Sequence, residues 1–201
     1  MSFLIKIYMN IQFIIPTYNR TELLFTIVCS ILSQTNPNWT IHIVGDNIPQ
    51  TNLDRLNSFL NVIDDDRIKF TNLRNRYNDW GHTPRNYGVE HSTSEWVVMT
   101  GEDNYYCPEF VNEMLKVSDE QDFVYCDMVH NWVNKEYVGI NTALQFGRID
   151  IGCFMVRTNM GNKIKLKTKE EWADWYYVEE FIKKYPNAKV TKVNKIMYVH
   201  N

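Results

Sequence analysis

A chain of 201 residues, 44% hydrophobic and 22% charged, is long enough to bury one substantial core and falls in the ordinary range of a single domain, 1–201. A formal net charge of -3 provides no broad basic surface, which argues against nucleic acid as the main partner. Cys29, Cys107, Cys126 and Cys153 lack CxxC spacing and follow no signal peptide, so they suggest neither a disulfide framework nor a zinc site and fit a reducing cytoplasm.

The opening stretch SFLIKIYMNIQFII carries Lys6, Asn10 and Gln12 and reaches Pro16 well short of the roughly 20 apolar residues that span a bilayer. It reads as strand, not as a membrane anchor. The isoleucine-rich run 11–15 ends at Pro16, as a buried parallel strand feeding a loop does. Thr21 offers a helix cap, Glu22 suits the positive helix start, and Leu23, Leu24, Ile27, Val28, Ile31 and Leu32 recur at helical spacing. The alternation continues with a strand over 40–44, a helix over 53–60 and a short strand over 68–70 after the Asp64-Asp65-Asp66 turn.

A polar loop, 72–83, leads to a helix over about 84–91 and the apolar strand 96–99, which stops at Gly101. Beyond it the sequence predicts a helix over about 108–117, strands over 123–126 and 153–156 with a less regular stretch between them, and a helix opening near Glu170. Strands alternating with helices predict an α/β fold with a central, mostly parallel sheet flanked by helices, whose ligand sits beyond the carboxyl ends of the strands.

Three strand ends carry candidate chemistry. The first delivers Thr17, Tyr18 and Arg20: a hydroxyl, an aromatic face and a guanidinium. The second delivers Asp46, able to accept the imino N–H of uracil. The fourth delivers Glu102, Asp103 and Asn104, hard oxygen ligands suited to Mg²⁺ or Mn²⁺ against a diphosphate. Alone, the first is as readily a plain turn and the second a capping aspartate, and a lone acidic turn is more often solvated than metallated; in combination they supply a base-stacking face, a base-reading carboxylate and a metal site in order.

Through FIIPTYNR, SILSQT, IVGD, DDRI, GHTPRNYGVEHSTSEWVV, GEDNYYCPEF and WADWYY, the chain resembles the GT-A fold glycosyltransferases of the large family 2 type, over roughly residues 11–185. Its compact size is similar to that of glycosyltransferases encoded by large algal viruses. The resemblance implies a single-domain, Rossmann-like GT-A fold, with a nucleotide-binding half over about 11–104 and an acceptor-side half over 105–201. It implies a UDP-sugar donor, a glycan or glycoprotein acceptor, a Mn²⁺ or Mg²⁺ cofactor and a cytoplasmic setting, the host cytoplasm if the chain is viral.

By that resemblance Thr17, Tyr18 and Asp46 bind the uridine, Arg85 and Asn86 lie near the ribose and diphosphate, and Gly88 lets its helix pack closely. The family's D-x-D-D metal motif aligns with Gly101-Glu102-Asp103-Asn104. Asp103 then inherits the metal-ligand role, Glu102 acts directly or through water, and His200 folds back to complete the shell. Asp174, in the acidic element Glu170-Glu171-Trp172-Ala173-Asp174, takes the place of the general base.

Alternative readings remain at this point. Asp174 could simply stabilise a helix start, His200 could be a packing histidine, and Trp172, Trp175, Tyr176 and Tyr177 divide between a sugar-stacking platform and ordinary core. Asp79 and His82 receive no role. A sugar nucleotidyltransferase would carry a glycine-rich loop after the first strand, and 16–20 contains no glycine. A non-catalytic sugar-nucleotide-binding module is the remaining rival, since Gly101 occupies the first metal slot.

Overall fold

The computed structural model describes residues 10–131 and 135–201, so most of the apolar opening stretch lies outside the described residues. β1 (Ile11–Thr17) is the predicted apolar run, buried at every position but Gln12. Gln12 donates across the sheet to the Thr40 hydroxyl at 3.2 Å. α1 (Thr21–Leu32) buries Leu24, Ile27, Val28 and Ile31, the expected stripe. Thr21 does not cap it: the residue begins the helix fully buried, its hydroxyl unpartnered, and Arg20 occupies the preceding position.

β2 (Trp39–Gly45), α2 (Gln50–Ile63) and β3 (Ile68–Asn72) complete the first βαβαβ run. Then come α3 (His82–Glu90) and the fully buried β4 (Trp96–Met99). The second half contains β5 (Tyr105–Tyr106), α4 (Phe110–Lys116), β6 (Phe123–His130), β7 (Val138–Ile140), a 3₁₀ turn (Ile151–Cys153), β8 (Phe154–Arg157), α5 (Thr158–Gly161), α6 (Ala173–Lys184) and β9 (Val190–His200).

Among the described residues, all strands belong to one sheet of order β3-β2-β1-β4-β8-β6-β9-β5, with β7 added beside β6. The block β3-β2-β1-β4 is parallel throughout. Beyond β4 the directions mix: β8 runs antiparallel to β4 and β6, while β9 runs parallel to β6. β1, β2 and β4 are buried on both faces and read as nearly continuous apolar runs for that reason, whereas the edge strand β3 is only partly buried.

Gly88 shows how closely α3 lies on the sheet. A Cβ built there would stand 2.2 Å from Ile14 Cγ2. Gly88→Ala is expected to destabilise the fold by about 1–3 kcal/mol, as overpacking does, read as a lowered thermal midpoint. An unchanged midpoint would show that α3 can step back from β1.

Candidate active site

β1, β2 and β4 are parallel and in register, Thr17 facing Gly45 and Ile14 facing Met99. The residues that follow these strands therefore emerge along one sheet edge, where open α/β sheets place their ligands. Two adjoining cavities lie there. The first, about 300 Å³, is lined by Thr17, Tyr18, Arg20, Asp46, Arg76, Glu102 and others. The second, about 290 Å³, is lined by His82, Asn104, Asp150, Glu170, Glu171, Asp174 and His200, among others. Trp80, Arg85, Gly101 and Asp103 line both.

In the first cavity Asp46 is 3% exposed and already engaged. Its Oδ1 accepts the Tyr77 backbone N–H at 2.8 Å, and its Oδ2 accepts the Asn78 N–H at 3.0 Å and the Arg76 guanidinium. That guanidinium lies 3.7 Å over the Tyr18 ring. Asp46 thus pins loop 76–78 over Tyr18, and the expected base-stacking face carries an arginine. Oδ1 still has a lone pair for one further donor.

Arg20 forms two ion pairs of 2.7 Å, through Nε with Glu102 Oε1 and through Nη1 with Asp103 Oδ2. Glu102 is 6% exposed. Burial pushes its carboxyl above the usual range, against the opposing pull of Thr17 and Arg20. The sequence places Glu102 as a metal ligand and Arg20 on the donor; the structure pairs them with each other, because a buried carboxylate requires a counter-charge.

At the junction, Arg85 donates from Nε to the Thr100 carbonyl at 2.9 Å and from Nη1 to the Trp80 carbonyl at 2.8 Å. The 78–81 turn that carries Trp80 has three left-handed residues, Asn78, Trp80 and Gly81, at φ 53°, 57° and 82°. Left-handed conformation is unfavourable for a residue as bulky as tryptophan, and Trp80 remains 60% exposed over both cavities.

In the second cavity Asp174 sits in the first turn of α6, half-buried. Its carboxyl is pushed up to about 7, mainly by burial and then by the Asp150 charge, against Arg85 and His200. His200 Nδ1 pairs with Asp150 Oδ2 at 2.8 Å. Burial disfavours the imidazolium, but the Asp150 carboxylate outweighs it and the net shift is upward. Asp150 is 2% exposed and also accepts the Gly152 N–H at 2.8 Å.

The family model for glycosyl transferase family 2 matches residues 12–191. The chain belongs to glycosyl transferase family 2. Among curated relatives, a Haemophilus influenzae protein described as an uncharacterized glycosyltransferase is 22% identical over 166 residues, covering 80% of this chain and 53% of its own length. A Rickettsia conorii protein of the same description is 24% identical over 128 residues, 63% of this chain and 20% of that one. The chain thus spans about half the length of the first relative and a fifth of the second. Among solved structures, S. aureus TarS in complex with UDP has a TM-score of 0.75 at 20% identity, over 96% of this chain and 60% of that one. A Pyrobaculum calidifontis mannosyltransferase in complex with GDP-Man and Mn²⁺ has a TM-score of 0.73 at 12% identity, over 95% and 56%. These likenesses establish a GT-A fold for this family 2 chain.

Of the residues implied by the family resemblance, Thr17, Tyr18, Asp46, Arg85, Asp103, Asp174 and His200 gather around the two cavities. Asn86 does not. Its amide clamps Leu166, donating to the carbonyl at 2.8 Å and accepting the N–H at 2.9 Å, so it fixes loop 164–167 instead of meeting a ligand. Among the aromatics near α6, Tyr177 is 2% exposed and Trp175 packs against the core, whereas Trp172 and Tyr176 face outward. Arg76 and Asp150 are site residues that the sequence reading misses; Arg76 is one of two arginines in a polar loop, and Asp150 falls in the irregular stretch before β8.

Among the described residues, no three His, Cys, Asp or Glu side chains stand close enough to hold a metal ion unaided. Asp103 and His200, a carboxylate and an imidazole, both line the second cavity and are chemically suited donors for a divalent cation. Hard cations of the Mg²⁺ type are commonly held by one or two protein ligands plus substrate phosphates. The Asp150–His200 pair is the kind of outer contact that orients a metal-binding histidine. No helix among the described residues is long and apolar enough to cross a membrane.

Proposed function

We propose that this family 2 chain transfers a sugar from a nucleoside diphosphate donor, a UDP-sugar, to a hydroxyl of a glycan or glycoprotein acceptor. The observation that carries this reading is the pair of adjoining cavities sharing Arg85 and Asp103, with a carboxyl near neutrality, Asp174, on the far one. The nucleotide occupies the first cavity. Thr17 and Asp46 address the uridine, and Tyr18 offers its ring once Arg76 swings aside. Arg85, at the junction, faces the diphosphate side.

Asp103 and His200 would hold Mn²⁺ or Mg²⁺, and that cation would supply charge stabilisation to the leaving nucleoside diphosphate. Arg20, 52% exposed at its side chain, can leave Asp103 for the diphosphate oxygens. Asp174 removes the proton of the attacking acceptor hydroxyl, consistent with an inverting transfer, and Trp80 shields the reacting centre from water. The names of the solved structures support a nucleotide-sugar donor: they include complexes with UDP, UDP-GlcNAc and GDP-Man.

The test is a panel of UDP- and GDP-sugars incubated with Mn²⁺, with release of nucleoside diphosphate and the anomeric configuration of the product followed by NMR. Turnover of a UDP-sugar with inversion is expected. Metal-dependent UDP binding with no turnover of any donor would instead identify a binding module, and a retained anomer would remove Asp174 as base.

A further inference from the structure

His82 is the buried titratable group on this sheet edge that the mechanism above leaves unused. It opens α3, is 6% exposed, and lines the second cavity. Its Nδ1 lies 2.7 Å from the Lys167 carbonyl oxygen. A carbonyl only accepts, so Nδ1 carries the proton and, in the neutral ring, Nε2 carries the lone pair. Nε2 has no partner among the described residues. Burial lowers the imidazole pKa, with Arg85 acting in the same direction, which favours the neutral ring.

Most of the charged lining is acidic, Asp103, Asp150, Glu170, Glu171 and Asp174 against Arg85 and His200, and His200 is paired with Asp150. No lysine faces the cavity, and Arg85 already donates to two backbone carbonyls. Away from the cation side formed by Asp103 and His200, an acceptor carrying phosphate or carboxylate would meet like charge from Glu170, Glu171 and Asp174, which is how a site rejects a wrong partner. A neutral polyol would find several oxygen acceptors for its hydroxyl protons, together with a nitrogen acceptor whose tautomer is fixed from behind.

We infer that the second cavity takes an uncharged, hydroxyl-rich acceptor and that His82 Nε2 is its specificity-determining acceptor, receiving a hydrogen bond from one acceptor hydroxyl. This rests on the assignment of the second cavity to the acceptor. The Lys167 carbonyl acts as the brace: it fixes the tautomer and ties α3 to the chain leading into Glu170 and Asp174.

Three measurements test it. Long-range ¹H–¹⁵N NMR of histidine-labelled protein, without ligands, is expected to show the His82 proton on Nδ1; a proton on Nε2 overturns the inference whatever the enzyme's substrate. With the UDP-sugar that turns over best, methyl glycosides of glucose, galactose and N-acetylglucosamine are expected to accept sugar, and glucuronic acid and glucose 6-phosphate to accept none. Preferred transfer to either anion, or turnover only with water, overturns it.

His82→Leu is then expected to raise the KM of the best glycoside roughly tenfold to a hundredfold and to leave the donor KM unchanged. His82→Gln, which retains an acceptor atom, is expected to recover most of the loss. Against singly deoxygenated glycosides, the wild type should reject one position that the leucine variant no longer distinguishes, a result that a purely structural histidine would not give. A rise in donor KM with acceptor KM unchanged overturns the inference. Failure of every nucleotide sugar to turn over defeats the proposed function itself, and the tautomer measurement still decides the state of His82.

Discussion

Replacing Asp174 with asparagine is expected to slow sugar transfer about 10²- to 10⁴-fold, the usual range for loss of a positioned base, while the affinity for UDP stays as it is. Asp174 lines the second cavity and not the first, so donor contacts survive the change. Burial and the Asp150 charge hold its carboxyl at about 7. The base form therefore accumulates as pH rises, and kcat/KM should climb to a plateau above about pH 7. The same shift sets a stability cost. A carboxyl whose pKa is raised on folding binds more protons folded than unfolded between its unfolded value, about 4, and about 7, so stability falls as pH rises through that window and remains lowered above it. Asp174→Asn should thus raise the thermal midpoint at pH 8 and leave it nearly unchanged at pH 4. Transfer at the wild-type rate would remove Asp174 from the chemistry, and a midpoint gain equal at both pH values would remove its ionisation from the stability argument.

The parallel half of the fold is legible because its inner strands are buried on both faces. Ile11–Thr17 and Trp96–Met99 are nearly unbroken apolar runs, and α1 shows its buried stripe at plain helical spacing. β9 is not legible. Its pairing with β6 slips between Cys126 and Asp127, the partner jumping from Val193 to Ile196, so the buried residues Val193, Met197 and Tyr198 break the period of two. The strand's last residue is His200, which is why a histidine so late in the chain reaches the cavity lined by the loop after β4.

Site positions are legible where a strand end dictates them, since Thr17, Asp46 and Asp103 all line the first cavity. Side-chain roles are not legible where the outcome depends on a partner distant in sequence. Arg20 meets Glu102 and Asp103 across some eighty residues, Asn86 meets Leu166 across eighty, and Asp150 meets His200 only after the sheet has closed. No local pattern encodes such pairs, because each follows from topology and from the need of a buried polar group for a partner.

Asp103→Asn is expected to abolish the cooperation between metal and nucleotide. Among the described residues no group of three ligating side chains offers itself to a divalent cation, so Mn²⁺ and UDP should each bind weakly and each tighten the other. Linkage makes the two effects equal, about 5- to 150-fold for coupling of ordinary size. In the ligand-free protein Asp103 Oδ2 is held at 2.7 Å by Arg20, which a bound cation must displace. An asparagine keeps the shape but loses the charge that makes the exchange favourable, and Arg20 then rests on Glu102 alone. Isothermal titration of UDP with Mn²⁺ and with EDTA should therefore give two different affinities for the wild type and a single one for the variant, equal to the wild-type value in EDTA. Metal-enhanced UDP binding that persists in the variant would place the cation elsewhere and leave Asp103 as the counter-ion of Arg20.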